Sequence, residues 1–336
     1  MVPATMGRAP ASRGKIAAAG AVAAGIAAIG VMAVVVQRQT QEAERLHPPQ
    51  GQFIQVDGVK LHYTDSGGSG RPVVLLHGNG AMIADLEISG LIDRLKTRHR
   101  VIAFDRPGYG YSERPRGRTW TPRAQADLFR KAFAQLEIGH PVVFGHSWGT
   151  LVALSLAIEY PMNFAGLVLA SGYYYPTARV DVVVLSTPAV PVLGDALRYT
   201  IAPLIGWGIA PKAVAKMFAP LPVTESFKHG FPVAMALRPS QLRASAEEAG
   251  IMAQSAAALQ DDYRKIEVPV TIIAGEDDEI VDTAMQSIRL LEDIPGSRLI
   301  VVPEAGHMIH HCEADQVADA ISEMAGRSAV ASADAA

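Results

Sequence analysis

The run 141–154, Pro-Val-Val-Phe-Gly-His-Ser-Trp-Gly-Thr-Leu-Val-Ala-Leu, carries the residue type best suited to chemistry. A β-branched and aromatic segment leads into Gly145-His146-Ser147-Trp148-Gly149, and a helix-compatible apolar run follows. A serine at a tight strand-to-helix turn is held with its hydroxyl exposed. Glycines two positions either side let backbone and helix approach without a Cβ clash. The same residues would also suit an ordinary loop with a capping serine. A serine hydroxyl is a weak nucleophile, so the two readings part on whether the chain supplies a base and an orienting acid. In a doubly wound sheet both belong on loops at the carboxyl ends of strands. After an apolar strand over 270–274 comes Gly275-Glu276-Asp277-Asp278-Glu279, and after one over 298–302 comes Pro303-Glu304-Ala305-Gly306-His307. The order is serine, acid, histidine, with Asp277 and Asp278 both open as the acid.

The elements that must position these residues read as alternating strands and helices. An opening hairpin over 53–64 turns at Asp57-Gly58. Continuous apolar runs over 73–76, 101–104, 141–144, 166–170 and 270–274 suit strands covered on both faces. Helices are expected over 83–96, from Thr121-Pro122 to about 136, over 151–160, 282–293 and 313–324. The alternation breaks over 173–258, where Pro176, Pro188, Pro191, Pro203, Pro211, Pro220, Pro222 and Pro232 predict short helices and no strand is evident. Because the rhythm resumes afterwards, this stretch reads as an inserted lid.

The N-terminal part has a different character. Residues 16–36 form an apolar run with no charge, about 31 Å long as a helix, which matches the ~30 Å hydrocarbon core of a bilayer. A cleaved signal peptide is the rival, but the run ends in Val-Val-Val before Gln37-Arg38, a poor cleavage site. Arg8, Arg13 and Lys15 before the run place that end in the cytoplasm, and the body on the extracytoplasmic, periplasmic side. The expected organisation is therefore a cytoplasmic N-terminus 1–15, a single-pass transmembrane anchor 16–36 and a spacer 37–52. The α/β core 53–172 follows, then the lid 173–258, the rest of the core 259–327 and a disordered tail 328–336.

At 336 residues and a formal net charge of −3, the chain can bury a large core and shows no nucleic-acid footprint. Its single cysteine, Cys312, excludes an intrachain disulfide and lacks a glycine-rich turn of its own. His77 and His146 sit in turn motifs and read as structural. His310 and His311 read as packing or rim residues, since no carboxylate–histidine helix motif accompanies them. No metal and no cofactor is expected.

Taken together, His77-Gly78-Asn79, Asp105-Arg106-Pro107-Gly108-Tyr109-Gly110, the serine elbow, Gly275-x-x-Asp278 and Gly306-His307 make the chain resemble the α/β-hydrolase fold superfamily from about 53 to 324. The resemblance is to its serine-nucleophile, esterase- and lipase-like members. It implies a mostly parallel central sheet flanked by helices, with an inserted helical lid. It also implies Ser147 as nucleophile, His307 as general base, and Asp278 rather than Asp277 as the acid, three residues after the strand-end glycine. The alternative acid position of some members, after the preceding strand, is Ser171-Gly172 here. The backbone N–H groups of Asn79 and Trp148 are expected to form the oxyanion hole, with Gly80 as an alternative to Asn79.

Serine at 147 argues against the aspartate-nucleophile dehalogenases and epoxide hydrolases of this superfamily. The carbon–carbon hydrolases share the triad but usually carry Gly-Pro-Gly-Ala where this chain has Gly80-Ala81-Met82-Ile83. Cofactor-free perhydrolases generally have a plainer lid. A carboxylic-ester hydrolase acting on an apolar small molecule is the expected function. A non-catalytic, membrane-tethered binding or interaction protein is the alternative from another class. The lid aromatics Tyr173, Tyr174, Tyr175, Tyr199, Trp207, Phe218, Phe227 and Phe231 would each suit the core of the lid, and together they suggest an apolar pocket, with Tyr173 and Tyr174 as its expected lining.

Overall fold

The computed structural model describes residues 11–177 and 186–333. Arg8, residues 178–185 of the lid and residues 334–336 of the tail lie outside the described residues. Among the described residues, eight strands form one sheet in the order β1-β2-β4-β3-β5-β6-β7-β8. They are β1 (Gln52–Val56), β2 (Val59–Asp65), β3 (Pro72–Leu76), β4 (Arg100–Phe104), β5 (Val142–His146), β6 (Gly166–Ala170), β7 (Val270–Gly275) and β8 (Arg298–Val302). The first two form an antiparallel hairpin whose turn residues, Asp57 and Gly58, both have positive φ, the geometry that matches strand twist. β2 pairs antiparallel with β4, and from β4 onward every pairing is parallel.

The inner strands are apolar throughout because each feeds two cores. Val74, Leu76, Ile102, Phe104, Val143 and Leu167 face one layer, beneath α4 (Pro122–Gln135) and α5 (Trp148–Glu159). Their neighbours Val73, Leu75, Val101, Ala103, Val142 and Val168 face the other, against α2 (Ile83–Ile88) and α3 (Leu91–Leu95). The Thr121 side chain accepts the Ala124 N–H to cap α4, and Pro122 takes the first turn, where no N–H is needed. The single helix expected over 83–96 is instead two, because Gly90 (φ 75°) turns the chain between them. The helix expected over 282–293 begins as a π turn, Ala284–Ile288, and continues as Arg289–Asp293.

Among the described residues between β6 and β7 lie five α-helices: α6 (Leu193–Arg198), α7 (Ala202–Phe218), α8 (Glu225–Gly230), α9 (Val233–Ala236) and α10 (Pro239–Ala257). Two are long, contrary to the expectation drawn from the prolines. Pro203 and Pro239 occupy first turns, where proline is tolerated, and Pro211 lies on the exposed side of α7. These helices form a cap over the carboxyl ends of the strands.

Helix α1 (Ala11–Leu46) is longer than the predicted apolar run. Its Ala23–Leu46 part is long and apolar enough to cross a membrane. The segment read as a spacer is helical to Leu46 and docked on the body. Val36 and Ala43 are buried on one stripe, and Ala43 packs with Met82 and Met235. Arg238 donates to Glu44 at 2.8 Å, and the Tyr111 hydroxyl donates to the His47 carbonyl at 2.5 Å. The closing helix, Ala314–Ala333, likewise continues through residues expected to be disordered.

Candidate active site

Ser147 sits between β5 and α5 with φ 50° and ψ −117°, a conformation that L-residues rarely hold. Close packing around the turn maintains it. A Cβ on Gly145 would come 2.6 Å from the Gly149 carbonyl oxygen, and one on Gly149 would strike the Leu76 carbonyl. The Ser147 N–H is tied to the Ala170 carbonyl at 2.9 Å. Its hydroxyl is thereby lifted clear of the sheet.

His307 comes from the loop after β8. Its Nε2 lies 3.0 Å from Ser147 Oγ, and its Nδ1 lies 2.8 Å from Asp278 Oδ2. Asp278 Oδ1 accepts the N–H groups of Ile280 and Val281 at 2.8 and 2.9 Å, which fixes the carboxylate. With Nδ1–H donating to Asp278, Nε2 is free to accept the serine proton. The neighbouring Asp277 is exposed and takes no part in this chain. His307 is held by its backbone as well: its N–H donates to the Met217 carbonyl at the end of α7, and its carbonyl accepts from His146 Nε2 at 3.0 Å.

The turn carrying Asn79 packs directly on the elbow, since a Cβ at Gly78 would approach Ser147 Cβ to 3.1 Å. Trp148 opens α5, where first-turn N–H groups lack intrahelical acceptors. The Asn79 side chain points elsewhere, donating to the Ser245 carbonyl of α10 at 3.0 Å. Arg106 fixes the turn's path. It donates to the carbonyls of His77 and Gly78 at 2.8 and 2.9 Å, while its own N–H meets His77 Nε2 at 3.0 Å. Burial, then the Arg106 charge, lowers His77 to about 4, so the ring is neutral and can accept that bond. Glu248, from α10, pairs with Arg106 at 2.6 and 3.0 Å, and both side chains are 0% exposed. Tyr109 and Gln125 donate to the same carboxylate at 2.7 and 2.8 Å, and Arg114 lies 3.7 Å from it. The Arg106 turn is visible in the sequence but its role is not, and nothing in the local sequence around Glu248 signals a buried ion pair.

A second buried cluster lies behind the base. Asp85 accepts from His310 Nε2 and His311 Nε2, both at 2.9 Å. These histidines were expected as packing or rim residues, with no carboxylate–histidine helix motif beside them. They are buried, and the carboxylate arrives from α2, far away in sequence. Burial pushes the Asp85 carboxyl up, but the charge and hydrogen bonds of His310 and His311 outweigh it and hold it well below the usual range. Burial also holds His310 and His146 below the ordinary imidazole value. The three side chains could together reach a metal ion. However, Nδ1 of both histidines is buried with no partner. Metal on Nε2 would put a proton on each Nδ1, leaving two buried donors without acceptors, the costlier arrangement. The cluster is a carboxylate that accepts a hydrogen bond from each of two imidazoles. The His146 ring lies 4.2 Å from that of His310, so the cluster backs directly onto the elbow.

The two residues expected to line the pocket, Tyr173 and Tyr174, are both buried. Tyr174 belongs to the core layer beneath α5, with its N–H on Gln286 Oε1 at 2.6 Å. The Tyr173 hydroxyl accepts the Thr177 N–H at 2.7 Å, and the residue is buried. Phe218 and Phe227 pack on His311, Phe231 stacks on Phe227, and Tyr199 and Trp207 are exposed. These aromatics build the cap's own core and its outer face.

The chain belongs to the alpha/beta hydrolase fold family, whose profile matches residues 71–314. Among characterised proteins it is similar to the 2-hydroxy-6-oxo-2,4-heptadienoate hydrolase of Pseudomonas putida, 27% identical over 263 residues that cover 77% of this chain and 90% of that one. Among solved structures it is similar to an esterase from Exiguobacterium antarcticum, with 26% identity, a TM-score of 0.63, and coverage of 82% of this chain and 100% of that one. A membrane phospholipase A shares the fold at 19% identity and a TM-score of 0.63, covering 94% and 97% of the two chains. Hydrolysis is the reaction class that these relatives have in common.

Proposed function

We propose that the protein is a serine hydrolase cleaving carboxylic esters of apolar small molecules through an acyl-enzyme on Ser147. The observation that carries this reading is the hydrogen-bonded chain from Ser147 Oγ through His307 to Asp278. Ser147 Oγ attacks the ester carbonyl as His307 Nε2 takes its proton, and Asp278 stabilises the imidazolium. The N–H groups of Asn79 and Trp148 receive the oxyanion. His307 then protonates the leaving alcohol, and a water deprotonated by His307 releases the acid. The protein is anchored by α1 with its catalytic body outside the cytoplasm. The buried stripe of α1 against the body supports its retention in the mature chain.

Carbon–carbon bond hydrolysis is the second reading, supported by the Pseudomonas putida relative. Turnover of p-nitrophenyl esters of increasing chain length, beside a vinylogous 1,5-diketone of the ring-cleavage type, separates the two. The expected result is ester hydrolysis that rises from acetate to medium chains and is lost in Ser147→Ala, along with fluorophosphonate labelling. Equal turnover by that variant would end the serine mechanism. Diketone cleavage without ester cleavage would favour the second reading.

A further inference from the structure

A cavity of about 370 Å³ lies where the loop after the Arg106 turn meets the cap, and none of Ser147, Asp278 and His307 lines it. Five arginines do: Arg114 and Arg116 from the loop, Arg198 from the end of α6, Arg238 just before α10, and Arg243 within α10. Like charges gathered around one space repel unless carboxylates or a bound anion offset them. Among the described residues, the carboxylates are shared. Arg116 and Arg198 both pair with Asp195, and Arg114 and Arg243 both pair with Glu247. Glu248, 3.7 Å from Arg114, is already the two-pronged partner of Arg106. Arg238 pairs with Glu44 at 2.8 Å, and Glu113 at the rim is exposed and accepts the Lys60 N–H.

Two further features suit an anion. Arg114 and Arg198 are 8% and 3% exposed, yet Nη2 of Arg114 and Nε of Arg198 have no hydrogen-bond partner. A buried guanidinium N–H without an acceptor is costly, and an anion in the cavity supplies the missing acceptor. Burial above all, with the charges of neighbouring arginines, holds Arg198 and Arg243 below the ordinary guanidinium value despite Asp195 and Glu247. The second feature is the start of α10, whose first residues Pro239 and Ser240 also line the cavity. No side chain caps that helix and its first turn holds no acid, so its leading N–H groups add to the positive potential.

We propose that this cavity binds a phosphate group, carried either by a lipid headgroup or by a small soluble ligand. The planar fork of arginine meets phosphate oxygens in pairs. Four guanidinium groups sharing Asp195 and Glu247 leave a surplus of two positive charges. A phosphate monoester, at about −1.5 to −2, matches that surplus, whereas a single carboxylate offsets half of it. The donors come from both parts of the molecule, Arg114 and Arg116 from the body and Arg198 and Arg243 from the cap. A bound phosphate therefore ties the cap to the body. The inference stands apart from the ester chemistry, since no residue of the Ser147 site takes part.

The test is calorimetric titration of the full chain, in a neutral detergent and a low-salt buffer. One arm adds inorganic phosphate and the other adds dihexanoyl phosphatidic acid below its micelle concentration. Saturable one-to-one binding is expected, with a thermal midpoint that rises as the probe is added. Tighter binding of the phosphatidic acid supports the site with a lipid headgroup as its occupant. Equal or tighter binding of inorganic phosphate supports it with a soluble one. Arg116→Gln, at an exposed position, and Arg243→Gln should each weaken binding about tenfold, the scale of one lost charged hydrogen-bond pair. Ser147→Ala should bind as the parent does, which separates this result from the hydrolase reading. No saturable binding of either probe by the parent overturns the proposal. So does binding that neither arginine substitution weakens.

Discussion

Ser147 keeps a positive φ although it is not glycine, and its neighbours show how that strain is maintained. The glycines on either side are packed against backbone, so replacing either would disturb the turn before it disturbed the chemistry. Of the adjacent acids, only Asp278 reaches His307. Asp278→Asn should therefore lower kcat by about 10⁴-fold, as loss of the correct tautomer does elsewhere. Asp277→Asn should leave it within about threefold, in line with an exposed surface change. Steady-state kinetics on one chromogenic ester checks both. A second prediction follows from the buried, neutral histidines. His77 has a folded value of about 4 against an ordinary 6.5, so between those pH values the unfolded chain binds protons that the folded one refuses. Stability is full above pH 6.5 and falls by about 3 kcal/mol for this group as pH drops to 4. His146 and His310 shift in the same direction and add to the loss. Urea midpoints measured from pH 7.5 to 4.5 should fall below pH 6.5, and a flat profile would contradict neutral buried rings. The hydrogen-bonded chain Ser147–His307–Asp278 was legible in the sequence because each member sits at a strand end beside a glycine-marked turn. The Arg106–Glu248 and Asp85–His310 pairs could not, since their partners lie 142 and 225 residues apart on elements with no motif between them.

At the scale of elements, doubly buried strands were legible as unbroken apolar runs, and Thr121-Pro122 marked the start of α4 correctly. The break between α2 and α3 was missed because glycine inside a helical pattern does not by itself reveal a left-handed turn. The cap was misjudged for a related reason. Counting prolines says nothing about which of them fall in first turns. The cap's α10 nevertheless contributes Glu248, the counter-ion of the residue that shapes the Asn79 turn. Glu248→Gln should therefore leave Arg106 buried without a partner charge and cost about 3–5 kcal/mol. The expected signature is a lowered urea midpoint together with a reduced kcat. A variant of unchanged stability would show that the pair contributes little.

For the whole molecule, the helix that reads as a membrane anchor is also part of the folded body. A chain starting at Gln50 loses the Ala43 contact, the Glu44–Arg238 pair and the Tyr111–His47 bond, while every triad residue remains. It should unfold several degrees earlier by thermal denaturation yet still hydrolyse a short soluble ester. Loss of that activity would mean that α1 supports the active site itself. The contact between Met217 and His307 has a consequence for protein engineering. The last turn of α7 holds the His307 backbone even though the chain assigns it to the cap. Exchanging caps between relatives to change what is admitted would succeed only if the splice fell before Met217, keeping the native turn that cradles the base.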